Sequence, residues 1–537
     1  MFIVGEANGY LEKEKKKRTI LYGLLVTVLV LIGVTYAYYR ITKTQTNSNV
    51  IGTRTCLNTT LTEETSEIVL SDAFPISDED GLKQSPFTFT LTNNCDSYVK
   101  VTIALVSEYR TSTNTAYLKD NYVKSNLSTK GTNDGSSVIL STLSLGEVDT
   151  NTQGYVLKTT GLKNKEAKSF DLRLWLDSET TNEQGLNKTW KGKIVVSVVA
   201  AEYVPTFAET ILANNEVKAP ITTPGAAIST ADEAEFASTE DDYGTSYYFR
   251  GAVTNNYVEF ANKCWRIVRV SGDGSVKLIL HNDNPTGAAN PCDSANNSAS
   301  AAFARYSETT YTSAFNTNYN DNAYVGFKYG TVGASDYATT HANTNNSTIL
   351  TNLEAWYNNN LKTYESVIDD NVWCNDKTNV TDETYDPWNY TPNGLGYANN
   401  VTFYGATQRL VSSTSGSAGG TGLSLKCNGK LSKITSKIGL ITADELAFAG
   451  YAAGTTAGTG NTTTYLQENA TDTYWWSLSP GNFYGNSARV WIVGGSSGVF
   501  GHRSVGNTSA VRPSISLKST TNVTGNGTSS APYIISM

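Results

Sequence analysis

The sequence predicts a multidomain chain: an N-terminal transmembrane helix, then an all-β sandwich, then a larger α+β domain. Three observations carry that reading. An uncharged stretch, Thr19–Tyr39, follows a basic cluster. Short segments of alternating apolar and polar residues recur between turn residues as far as residue 202. Beyond residue 246, hairpin patterns are joined to two segments with helical spacing. The boundaries expected are 1–18 for a basic cytoplasmic tail, 19–39 for a span or signal segment, and 50–202 for the sandwich. Residues 203–245 are expected as a linker and 246–537 as the second domain.

The N-terminal expectation rests on length and charge. About 20 apolar residues cross a bilayer, and Lys13, Lys15, Lys16, Lys17 and Arg18 stand just before the uncharged stretch. Clustered cations beside a span stay cytoplasmic. The expected location is therefore the cell membrane, single-pass, with the C-terminal domains extracellular. Thr35 and Ala37 are small residues at the spacing a signal peptidase reads. An anchored form and a form released after Ala37 both remain open.

Composition narrows the partners. The 537 residues carry 41 Lys+Arg against 49 Asp+Glu, a net charge of -8, so no basic surplus points to nucleic acid. Three His in the whole chain argue against a multi-histidine metal enzyme, and no cofactor motif is found. The six cysteines are Cys56, Cys95, Cys264, Cys292, Cys374 and Cys427. An even count outside a membrane suggests disulfides, with 15 connectivities formally open. The sequential pairs Cys56–Cys95, Cys264–Cys292 and Cys374–Cys427 are the simplest. No CxxC spacing supports a zinc knuckle or a thioredoxin-like site.

In the sandwich, strands are expected at Glu67–Leu70, Phe87–Thr92, Tyr98–Leu105, Ser137–Leu140, Tyr155–Lys158, Phe170–Leu176 and Lys193–Ala200. Phe87, Phe89 and Leu91 share one face of their strand, as do Phe170, Leu172, Leu174 and Leu176 of theirs. The linker carries Pro205, Pro220 and Pro224 and an acidic run, with a short helix possible at Phe207–Asn214. In the second domain, Ser271-Gly272-Asp273-Gly274 reads as a hairpin turn between strands. Ser347–Leu361 has Leu350, Leu353, Trp356, Tyr357 and Leu361 at helical spacing, with Ser347 as N-cap. Thr442 and Glu445 form a capping box at a second helix start.

Two resemblances follow from these strings. The end of the uncharged stretch, GVTYAYY, and the succession PFTFTLTNNCDSYVKVTIAL, KSFDLRLWLDSE and KGKIVVSVVA over residues 50–202 resemble camelysin/TasA-type surface proteins of Gram-positive bacteria. That resemblance implies a jelly-roll-like sandwich and self-assembly into fibres by strand donation. Residues 246–537 carry FRG, NNYVEF, CWRIVRV and GDGS, then ITADELAFAG, then WWSLSP and VRP. Their order resembles bacterial C-type-lectin-like and formylglycine-generating-enzyme-like domains, including retroelement-diversified variable proteins. It implies a lectin-like fold whose loops bind ligand.

The best ligand-surface candidate is Gly481–Ser509, which sets Phe483, Tyr484, Arg489, Trp491, Phe500, His502 and Arg503 among Gly, Ser and Asn. Rigid rings and Arg amid small residues are what recognition surfaces use, because rings bring area at low entropy cost. The plainer alternative makes Trp491 and Phe500 core residues, and Trp475 and Trp476 more so. A calcium-dependent sugar site needs carboxylates, and Trp475–Lys518 holds no Asp or Glu. Asp369, Asp370, Asp376, Asp382, Glu383 and Asp386 cluster elsewhere and read as a solvated acidic loop, with a structural calcium ion as the alternative and no metal ligand assigned. Catalysis finds no support: the tail lacks paired cysteines beyond Cys427, and Gly416-Ser417-Ala418-Gly419 does not fit a nucleophile elbow. The expectation is a non-enzymatic cell-surface adhesin that recognises an extracellular glycan or protein. The alternative is a structural subunit of a surface fibre or biofilm matrix.

Overall fold

The computed structural model describes residues 16–17, 19, 41–44, 58–66, 68, 73–148, 152–226, 228, 230, 233–390, 392–414, 418–427, 430–452 and 463–536. They fall into two units, Met1–Val204 and Pro205–Met537.

Two parts of the expected fold class are corrected. No helix among the described residues is long and apolar enough to cross a membrane, so the single-pass anchor and the membrane location are not supported. The segment on which they rested, residues 20–40 with Ala37, lies outside the described residues. The described residues are also mostly β, with 36% strand and 15% helix in several sheets, which corrects the α+β part of the expected fold class. Among the described residues the longest helix, Thr348–Asn360, has 13 residues, and the next, Phe207–Asn214, has 8. The physical reason lies in the residues between elements. Asn, Gly and Thr turns interrupt most apolar runs before a helix gains length, while β-branched and aromatic alternation favours strands.

Among the described residues the first unit is two five-stranded antiparallel sheets. One sheet runs Ile41–Thr44, Gly192–Ala200, Val99–Ser107, Gln153–Leu162 and Leu145–Glu147. The other runs Thr59–Glu63, Phe87–Asn93, Ala167–Leu176, Val123–Thr129 and Val138–Ile139. Phe87, Phe89, Leu91, Phe170 and Leu172 of one sheet meet Val99, Val101, Ile103, Ile194 and Val196 of the other in one core. The period-2 pattern read in the sequence thus turns the apolar faces inward. Trp175 is buried on the outer face instead, where a side chain at Gly81 would collide with its ring.

The second unit starts earlier than expected, inside the stretch read as a linker. The helix Phe207–Asn214 carries a full capping box at Thr206 and Glu209 and buries Phe207 and Ile211, with Phe207 against Tyr533. Ala234–Asp241 pairs with Gly244–Gly251 and begins an eight-stranded sheet. The hairpin Lys263–Val270 with Val276–Asn282 lies within this sheet, and Gly274 takes the left-handed φ of 83° that its turn requires. A six-stranded sheet joins Thr312–Ala314, Thr508–Ala510, Trp475–Tyr484, Ser487–Val493 and Phe500–Ser504, with Thr402–Phe403 added on Trp475–Tyr484. Trp475 and Trp476 are both fully buried, because this strand is covered on both faces. Cys264–Cys292 and Cys374–Cys427 are disulfides with Cα–Cα distances of 5.0 and 5.4 Å. The remaining expected pair includes Cys56, which lies outside the described residues.

Candidate ligand-binding surface

The tail segment forms a hairpin and a third strand, and their register decides which side chains share a face. Trp475–Tyr484 returns as Ser487–Val493 through Gly485 and Asn486, at φ 59° and 58°. Two successive left-handed residues are the signature of a tight hairpin turn. Asn482 pairs with Arg489 and Tyr484 with Ser487, while Arg489 faces Ser504 and Trp491 faces His502. Cross-strand partners point the same way. Asn482, Tyr484, Arg489, Trp491 and His502 therefore occupy one face.

Arg503 occupies the other. It pairs with Val490, and its guanidinium lies 4.7 Å from the Tyr474 ring centroid. The seven residues grouped from the sequence thus separate into three sets. Phe483, Trp491 and Phe500 are 1%, 1% and 3% exposed and belong to the core. Trp491 donates from Nε1 to Thr407 Oγ1 at 3.2 Å and packs on Phe500. Tyr484, Arg489 and His502 reach the surface together, and Arg503 points away from them.

A second segment completes the surface. Trp388 and Tyr390 come from a loop and both pack on the buried ring of Phe403, at 5.7 and 5.1 Å. Asn389 between them takes φ 59°, a left-handed value that Asn tolerates. Tyr390 then stacks on Tyr484 at 3.6 Å, and Trp388 meets His502 edge to face at 4.5 Å. Phe403 sits opposite Asn482 in the register, so the loop lies over the face just described. Tyr484 is 38% exposed; Trp388, Tyr390, Arg489 and His502 are half-buried.

The electrostatics of this surface are simple. Arg489 donates from Nη1 to His502 Nε2 at 3.4 Å and lies 6.0 Å from the Tyr484 ring centroid. Burial and the Arg489 charge push His502 down to about 4, so the imidazole is neutral at pH 7 and its Nε2 accepts. Burial raises the Tyr390 hydroxyl, which also stays neutral. The arrangement offers flat rings, one neutral imidazole and one cation. It can stack on a flat apolar face and donate to an acceptor.

Two other clusters are occupied by their own partners. Glu445 accepts from Lys277 at 2.7 Å and Arg269 at 2.9 Å, and Arg269 also meets Asp241 at 2.8 Å. Beside them Arg409 binds Asp444 and Asp376 at 2.8 and 2.6 Å. These seven groups line a cavity of about 30 Å³, room for about one water. A wider cavity of about 370 Å³ is lined by Tyr257, Thr464, Tyr465 and Glu468. Glu468 there already accepts from Tyr257 and Arg266, each at 2.9 Å. Of the acidic residues expected as a single loop, Asp376 is buried on Arg409 and Asp370 meets Lys437 at 3.2 Å. Among the described residues, no group of three His, Cys, Asp or Glu could hold a metal ion.

No protein-family model matches this chain, and neither a curated protein nor a solved structure matches it.

Proposed function

We propose that this chain is a ligand-binding protein of adhesin type, which recognises an extracellular glycan or protein through the face formed by Trp388, Tyr390, Tyr484, Arg489 and His502. The observation that carries the reading is the convergence of two distant segments on one partly exposed aromatic cluster. A loop and a hairpin each spend large rings at the surface, where rings are ordinarily buried. The two disulfides, closing 28 and 53 residues, fit an oxidising compartment outside the cytosol. The lectin-like resemblance of residues 246–537 supports the same reading.

The test is a glycan and protein array probed with the full chain. Tyr484→Ala and Trp388→Ala are expected to abolish whatever binding the wild type shows. Arg503→Ala, on the opposite face of the same strand as His502, is expected to leave it intact. If Tyr484→Ala binds like the wild type, the surface has been misplaced.

The fibre-subunit reading is favoured by one observation. Ile41–Thr44, the first described strand of its sheet, lies at the sheet edge and, among the described residues, pairs only with Gly192–Ala200. Such an edge strand can be exchanged between copies. Light scattering of the purified chain decides it: growth of long polymers supports the fibre, and a stable monomer rejects it.

A further inference from the structure

Two features of the aromatic face are unmet in the free protein. Arg489 has no carboxylate among the described residues within ion-pair distance; its one polar side-chain contact is the neutral His502. The charge acting on both His502 and Tyr390 is that of Arg489 itself. In a chain of net charge -8, this is a local cation with no carboxylate opposite it among the described residues. The second feature is Asn482. It is fully buried, and among the described residues neither its Nδ2 nor its Oδ1 has a hydrogen-bond partner. A buried polar group without a partner is uncommon in folded proteins, and here a whole amide is orphaned. The register sets it beside Arg489 on one side and Phe403, which carries Trp388 and Tyr390, on the other.

A carboxylate answers the guanidinium, as Arg pairs with carboxylates in short charge-assisted bonds. A donor and acceptor set close together, as on vicinal hydroxyls or an N-acyl group, answers the amide. A ring with an apolar face answers the aromatic side chains. One ligand class holds all three. Resting on the surface assigned above, we propose that this face binds a carboxylate-bearing sugar, with Arg489 taking the carboxylate, the Trp388, Tyr390 and Tyr484 rings taking the sugar ring, and the Asn482 amide taking its adjacent polar groups. Access to Asn482 requires the Trp388–Tyr390 segment to shift. That segment is held over the face by ring contacts with Phe403, Tyr484 and His502.

Three probes test this on the full chain: 3′-sialyllactose, a hexuronate disaccharide and neutral lactose, each titrated by calorimetry. Both acidic probes are expected to bind on the order of 10- to 100-fold tighter than lactose, the worth of a hydrogen bond to a charged group. Tighter binding of sialyllactose than of the hexuronate assigns the amide to the N-acyl group, and the reverse assigns it to vicinal hydroxyls. Arg489→Gln is expected to bring the acidic probes to the level of lactose. Asn482→Leu separates recognition from packing. It is expected to leave the melting temperature unchanged or raised, because an orphaned amide is replaced by an apolar group, and still to weaken binding about tenfold or more. Unchanged affinity in Asn482→Leu removes the amide from the proposal. If acidic and neutral probes bind equally and Tyr484→Ala abolishes both, the acidic class is wrong while the surface stands. If no probe binds and an array protein is captured through Tyr484, the glycan class is wrong. Binding that ignores both Tyr484→Ala and Arg489→Gln overturns the surface and the proposal together.

Discussion

Tyr390 and Tyr484 stack with their ring centroids 3.6 Å apart and their planes 14° from parallel. The pair joins a loop to the last residue of a hairpin strand, segments with no local sequence relation. Its counterpart, Trp388 on His502, repeats the junction at the other end of the loop. Together they make one surface from two pieces that would each be unremarkable alone.

Truncating this surface should separate binding from folding. Tyr484 is partly exposed and its stacking partner also rests on Phe403. Tyr484→Ala is expected to cost no more than about 0.5–1.5 kcal/mol of stability, the worth of an aromatic pair. Ligand binding is expected to vanish. Thermal unfolding beside array binding checks both.

The three histidines share one direction. Burial, then Arg266 and Arg512, holds His281 well below 6.5; burial and Lys377 push His341 down to about 3; burial and Arg489 push His502 down to about 4. In each case the unfolded chain takes up its proton first. The stability they confer is complete above about pH 6.5 and is lost as pH falls toward 4 and 3. Urea midpoints followed by tryptophan fluorescence are expected to hold level near pH 7.5 and to fall as the pH drops through about 6.5 to 5. A flat profile would show that these rings are not buried as neutral groups.

Glu445 performs two tasks that one variant can separate. Its Oε2 accepts from Thr442 N at 2.9 Å in the capping box, and its Oε1 meets Lys277 and Arg269. Burial works to raise its carboxyl, but the Lys277 and Arg269 charges overcome it and hold the group down at about 2. Glu445→Gln keeps the cap and leaves two buried cations facing a neutral amide. It is expected to lose about 3–5 kcal/mol in urea unfolding. The depressed carboxyl also implies stability present above about pH 4.5 and lost as pH falls toward 2.

Each disulfide closes a loop of the unfolded chain. Loop-entropy arguments give roughly 3.5 kcal/mol for Cys264–Cys292 and roughly 4 kcal/mol for Cys374–Cys427. The double variants Cys264→Ala/Cys292→Ala and Cys374→Ala/Cys427→Ala are expected to lower the unfolding free energy by about those amounts. Denaturation of the two variants side by side orders them.

What the sequence made legible was local. Leu350, Leu353, Trp356 and Tyr357 are buried on a helix capped by Ser347, because a 3.6-residue period and its start signal lie within one segment. The Thr442–Glu445 capping box holds for the same reason. What escaped was non-local. Nothing near Trp388 or Tyr390 reports that their loop crosses Phe403 and reaches Tyr484. Proximity in the chain groups Arg503 with His502, although strand neighbours face opposite ways. Phe207 and Ile211 read as one face of a short helix inside a spacer, yet a helix of 8 residues gains its stability from packing, and they pack on the second unit's core. The acidic partners of Lys277, Arg269 and Arg409 likewise come together only in the folded chain.

The face built by Trp388, Tyr390, Tyr484, Arg489 and His502 is the proposed seat of the ligand. Hydroxyl-radical footprinting of the full chain, with and without saturating 3′-sialyllactose, tests it most directly. The result expected is protection of Trp388, Tyr390 and Tyr484, with Tyr474 on the opposite face unchanged. Protection at Tyr257 and Tyr465 beside the 370 Å³ cavity, with Tyr484 unaltered, would contradict it.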